Sequence, residues 1–110
     1  MKIRLFRRRS QRNASPEIRK ERVFDAVVNG VHYEFRNVTG KAEKVERRFS
    51  EAKEKGAGIN VFINIDSTVG KNEARRRIGA VLARHPDYTG KIIVSFKGGT
   101  PYFWDTSSFR

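Results

Sequence analysis

The dipeptide Asn29-Gly30, set within VFDAVVNGVHYEFRN (residues 23–37), constrains this chain more than any other feature. Asn-Gly between runs of β-branched and aromatic residues signals a two-residue type I′ hairpin, because both turn positions require positive φ. The turn also fixes the register. With Val28 opposite Val31, Val27 faces His32, Ala26 faces Tyr33, Asp25 faces Glu34, Phe24 faces Phe35 and Val23 faces Arg36. Side chains alternate with period two. One face therefore reads Phe24, Ala26, Val28, Val31, Tyr33 and Phe35, apolar except for a hydroxyl, and the other carries Asp25, His32, Glu34 and Arg36.

The charged face sets two carboxylates, Asp25 and Glu34, directly opposite each other, where Cβ atoms lie about 4.5–5.5 Å apart and like charges repel. Four things can offset the repulsion: a divalent cation, a shared proton, the neighbouring Arg36, or water on a solvated outer face.

Downstream, Thr39-Gly40 ends the hairpin and the spacing predicts a helix from about Lys41 to Lys55. Ala42, Val45, Phe49 and Ala52 share its apolar stripe, Glu43 with Arg47 and Glu51 with Lys55 form favourable pairs four apart, and Gly56 stops it. GINVFINID reads as the core strand. Ile59, Val61, Ile63 and Ile65 share one face and Phe62 takes the other, the pattern of an inner strand covered on both sides. Asp66 ends it where open α/β sheets gather ligand groups, although such a residue also caps loops. A second helix from about Asn72 to Arg84 buries Ala74, Ile78, Val81 and Leu82. At about 100° per residue, Arg75, Arg76 and Arg77 fan too widely for one ligand to meet all three. KIIVSFKGGTPYFWD closes the chain as a hairpin, Ile92 to Phe96 and Pro101 to Trp104, turned at Gly98-Gly99. The order is β-β-α-β-α-β-β. With right-handed crossovers this gives an α/β (α+β) domain, a mixed sheet of about five strands with at least one helix packed on it.

Charge narrows the partner. The 110 residues hold 24 Lys and Arg against 12 Asp and Glu, a net charge of +12 that favours a polyanion such as nucleic acid. Residues 1–22 contribute +7 of that, and residues 1–20 read as a flexible basic arm, with Ser15-Pro16-Glu17 able to start a short helix, ahead of a single domain over 21–106. The sequence has no cysteine, so disulfides and cysteine-ligated zinc are excluded. No apolar run reaches the roughly 20 residues of a membrane span, and MKIRLFRRR lacks the apolar centre of a secretory signal. A soluble protein is expected.

Asp25 nine positions before Glu34, then Arg36, a helix and a core strand resembles the centre of the PD-(D/E)XK nuclease fold. The run from DAVVNGVHYEFRN to INVFINID is more closely similar to the C-terminal nuclease domains of polymorphic bacterial toxins, including the tRNase domains of contact-dependent growth inhibition proteins, and TGKIIVSFKGGTPYFWD is similar to the terminal hairpin of related domains. The resemblance covers residues 25–105. It implies that Asp25 and Glu34 hold a divalent metal such as Mg²⁺, that the substrate is RNA, in particular tRNA, and that a dedicated immunity protein neutralises the domain. For a +12 chain that protein should be acidic. Action in the bacterial cytoplasm, that of a target cell for a delivered toxin, is implied as well. Position 36 is Arg where the family pattern has Lys; an arginine with pKa above about 12 is no general base, but it can neutralise charge on a phosphoryl transition state.

The residues also allow a metal-free scheme. His32, Glu34 and Arg36 alternate along one strand face, about 6–7 Å apart per step, and supply a base, an acid and a cation. That set resembles the acid/base kit of barnase-like ribonucleases. Lys41, Arg75, Arg76, Lys97 and Trp104 are candidate nucleic-acid contacts, with Tyr102 and Trp104 on a common face able to stack on a base. A non-catalytic basic nucleic-acid-binding module is the alternative to either enzyme.

Overall fold

The computed structural model describes residues 3–7 and 24–109, with side chains from residue 26 onward. Its strands are β1 (Ile3–Arg7), β2 (Phe24–Val28), β3 (Val31–Val38), β4 (Val61–Ile65), β5 (Ile92–Phe96) and β6 (Tyr102–Trp104). Helix α1 (Ala42–Lys53) joins β3 to β4, α2 (Lys71–Arg84) joins β4 to β5, and a short 3-10 turn (Thr106–Phe109) follows β6.

The six strands form one sheet in chain order. Asn29 and Gly30 both have positive φ, 51° and 82°, so the expected type I′ turn forms and β2 pairs antiparallel with β3. The helical crossovers make β3, β4 and β5 parallel, and the last hairpin returns β6 antiparallel to β5. Two right-handed crossovers stepping the same way across a sheet place both helices on one face. The five expected strands are thus β2 to β6, in the expected order, with two helices packed on them.

The helix-covered face holds the main core. Val45, Phe49 and Ala52 of α1 and Ala74, Ile78, Val81 and Leu82 of α2 meet Val38, Val61, Ile63, Ile65, Ile92 and Val94 of the sheet. Each fully buried side chain of this size contributes about 1.5–3 kcal/mol. A second buried cluster, Ala26, Val28, Tyr33, Phe62 and Ile93, lies on the other face and, among the described residues, draws on strands only.

The connection from α2 to β5 is held by a close approach. A Cβ on Gly90 would stand 1.9 Å from the Ile59 carbonyl oxygen, the same oxygen that accepts the Tyr88 hydroxyl. Only glycine fits there, and burial raises the Tyr88 pKa far above its ordinary value.

Four expectations are corrected. The basic arm is not wholly outside the fold: Ile3–Arg7 is an edge strand paired antiparallel with β2, Ile3 against Val28 and Phe6 against Asp25. The expected Ser15 helix start and the Val23–Arg36 pair lie outside the described residues. The final turn is centred on Lys97-Gly98, with φ of 53° and 72°, not on Gly98-Gly99. Structure also continues past residue 106, because Phe109 packs its ring 5.8 Å from that of Trp104. Finally, Glu43 reaches across to Arg77 at 3.5 Å instead of pairing with Arg47 along its own helix.

Candidate functional site

The β2–β3 register is the one the turn dictates: Phe24, Asp25, Ala26, Val27 and Val28 pair with Phe35, Glu34, Tyr33, His32 and Val31. Asp25 is described by its backbone alone, as the residue between Phe6 on β1 and Glu34 on β3.

Glu34 pairs in register with Val61, and Arg36 with Ile63. Val61 and Ile63 belong to the helix-side core, so Glu34 and Arg36 share the covered face. Glu34 is only 2% exposed, which removes the solvated outer face from the four ways of offsetting its charge. Arg36 supplies one directly. Its Nη1 donates to Glu34 Oε2 at 3.1 Å and to the Phe35 carbonyl at 3.0 Å. Two residues apart on one strand, both side chains point the same way, and the guanidinium reaches back along the strand.

Asn60 secures the backbone beside this pair. Its carbonyl accepts the Glu34 N–H at 2.7 Å, its Nδ2 donates to the His32 carbonyl at 3.1 Å, and its Oδ1 accepts the Lys91 N–H at 2.9 Å. One side chain thereby ties β3 to the entries of β4 and β5. The candidate centre lies at the N-terminal end of the parallel strands. Asp66, exposed at the opposite end with its N–H bonded to the Val38 carbonyl, is not part of it. His32 is exposed on its strand.

The expected nucleic-acid contacts are carried by several elements of the fold. Lys41 is exposed at the start of α1, and Lys97 is exposed in the last turn. Arg76 and Arg77 both bond Glu73, whose carboxyl is held below the usual range first by the Arg76 hydrogen bond, then by Arg77. Arg77 also approaches Glu46 at 3.6 Å and Arg84 bonds Glu46 at 3.2 Å, so these two cations of the groove between α1 and α2 already face carboxylates. Arg75 donates to the Ser108 carbonyl at 2.6 Å and lies over the Trp104 and Phe109 rings. The expectation that Trp104 stacks on a base is corrected: it is 8% exposed and packed into the core, with Arg75 and Phe109 against its ring.

A polar row on the other face was not anticipated. Asn64 Nδ2 donates to Asn37 Oδ1 at 2.9 Å, and Asn64 Oδ1 accepts from Ser95 Oγ at 2.6 Å and from Gly98 N at 3.0 Å. The signal was present as an asparagine inside the Ile-rich strand, on the face of Phe62. Asn64 is half-buried and Ser95 buried, and polar side chains in such places persist when their bonds are made; here the bonds clamp β3, β4, β5 and the last turn.

Two carboxylates are hard oxygen donors of the kind that hold Mg²⁺ together with water and substrate phosphates, so the donor chemistry of Asp25 and Glu34 fits such an ion. Glu34 would share it with Arg36. Among the described residues no group of three or more His, Asp or Glu could hold a metal ion, and no helix is long and apolar enough to cross a membrane. No protein-family model, curated protein or solved structure matches the chain.

Proposed function

We propose that this protein is a nuclease acting on RNA, with Asp25, Glu34 and Arg36 as its phosphodiester-directed centre. The observation that carries the reading is the register pair of Asp25 with Glu34, in which Glu34 is buried and already joined to a guanidinium. A sheet gains no stability from opposed carboxylates, whereas a phosphodiester reaction uses anions and a cation held together. A divalent ion bound by Asp25 and Glu34 would act as a Lewis acid toward the phosphate and lower the pKa of attacking water. Arg36 neutralises charge gathering on the phosphoryl oxygens, and the core walls around Glu34 keep that interaction strong by excluding water. The resemblance extends the proposal to tRNA as substrate, to an acidic immunity protein covering this centre, and to action in the bacterial cytoplasm.

A second reading, a non-catalytic nucleic-acid binder, is favoured by the 3.1 Å bond between Arg36 and Glu34, since a closed pair serves structure without any substrate. Purified protein incubated with total RNA, with and without EDTA, separates the possibilities. In the metal scheme EDTA silences cleavage, Asp25→Asn removes most of it and His32→Ala costs little. In the metal-free scheme EDTA is harmless and His32→Ala loses about 10²–10⁴ in rate, with 2′,3′-cyclic phosphate ends. Glu34→Gln with undiminished cleavage refutes both enzyme schemes and leaves the binder.

A further inference from the structure

The far end of the helix-covered face, at β6, combines an exposed ring with an uncommitted cation. Tyr102 and Trp104 are two residues apart on one strand and share that face. Trp104 is closed over by Arg75 and Phe109. Tyr102, beyond their reach, is 40% exposed. Its ring is braced edge-on by Phe96 at 6.0 Å and tilted 31° to Trp104 at 6.3 Å, so it stands at the rim as a supported platform.

Lys71, exposed at the start of α2, places its Nζ 4.5 Å from the centroid of the Tyr102 ring. The other cations of α2 are engaged: Arg75 with Ser108 and two rings, Arg76 and Arg77 with Glu73, Arg84 with Glu46. Lys71 has no ion-pair partner among the described residues. Its ammonium is held by the π face alone, a contact that an anion easily replaces.

We propose that Tyr102 and Lys71 form a stacking site for an unpaired base of single-stranded nucleic acid, the ring taking the base while the ammonium swings to the adjoining phosphate. The inference rests on the nucleic-acid reading given above but not on cleavage. The +12 chain attracts the polyanion, and every base offers a π face to an aromatic ring, so the site tolerates sequence. A duplex, whose bases are already stacked, offers the ring nothing.

The test uses the full chain, EDTA and a short 2′-O-methyl oligouridylate, which lacks the hydroxyl that a metal-free ribonuclease needs, with a duplex of equal length as control. Binding is read by anisotropy and by Trp104, the one tryptophan of the chain. Tyr102→Ala should weaken single-strand binding about tenfold, within the range for loss of one stacked base, and leave duplex binding within about twofold. Tyr102→Phe should bind as the native protein does. Lys71→Gln should reduce the log–log salt slope by about 0.7, the value for one phosphate of a single strand. Phe103→Ala, on the opposite face of the same strand, should change neither affinity. Circular dichroism checks each fold, and Tyr102→Leu replaces Tyr102→Ala if the latter unfolds. Unchanged single-strand binding by Tyr102→Ala, an equal loss on duplex, or an equal loss in Phe103→Ala would overturn the site. A native chain that binds no oligonucleotide overturns both this site and the nucleic-acid reading, whereas Tyr102-dependent binding without RNA cleavage supports the site and removes only the nuclease.

Discussion

At one end of the helix-covered face Glu34 and Arg36 meet at 3.1 Å under the core wall; at the other Lys71 rests over a half-open tyrosine. The difference is burial. A carboxylate taken out of water must be matched by a fixed counter-charge, because desolvation alone costs several kcal/mol per ion. A cation on an exposed ring keeps most of its hydration, so it stays available to a ligand. The first arrangement is closed, its carboxylate already matched by the guanidinium. The second stays open to solvent.

Three measurements break or sharpen this comparison. Trp104 and Tyr102 share strand and face, yet Trp104→Ala should cost about 4 kcal/mol in urea denaturation, as for an aromatic removed from a core, and Tyr102→Ala less than about 1 kcal/mol. Equal losses would mean that both rings belong to one buried layer.

Next in size, Glu34→Ala should destabilise by about 3 kcal/mol, because the guanidinium is left beside a core without its partner. Replacing both residues with leucine should restore stability to within about 1 kcal/mol of native if the pair only maintains the fold. RNA cleavage that survives the double replacement would place the chemistry elsewhere.

The smallest effect tests burial through ionisation. Burial raises the pKa of the Tyr88 hydroxyl, and that of Tyr33 more modestly. The unfolded tyrosine titrates near 10, so the folded state favours the neutral form. The associated stability is whole below about pH 10 and is lost as pH rises toward the raised folded value. Tyr88→Phe should lose about 1 kcal/mol at neutral pH with the bond to the Ile59 carbonyl, and its stability should fall less steeply than the native protein's between pH 9 and 11 (about the unfolded tyrosine pKa). Parallel curves would show that Tyr88 is not sealed from water.

Much of the fold was legible because its determinants are local. Asn29-Gly30 needs positive φ at two adjacent positions, which set the whole β2–β3 register, including Asp25 against Glu34. The stripes Val45, Phe49, Ala52 and Ala74, Ile78, Val81, Leu82 needed only helical periodicity. The last turn was misplaced by one residue because Lys97 adopts positive φ where a glycine pair stood beside it.

The candidate site was legible in its pairing but not in its surroundings. An alternating hairpin states that one face is apolar and one charged, and it suggests that the charged one meets water. Which face the helices cover is set by strand order and crossover handedness, properties of the chain path, and that path buried Glu34. The same limit governed Trp104 and Tyr102, indistinguishable by spacing until Arg75 and Phe109 covered one and missed the other. Likewise β1 could be recognised only through its partner, since Ile3–Arg7 has too little pattern of its own and pairs with residues about twenty positions away. Sequence alone determined turn, register and helix stripes, because these depend on neighbouring residues. Burial, and with it the choice between a closed ion pair and an available cation, was decided by tertiary structure, because it depends on what distant segments of the chain place on top.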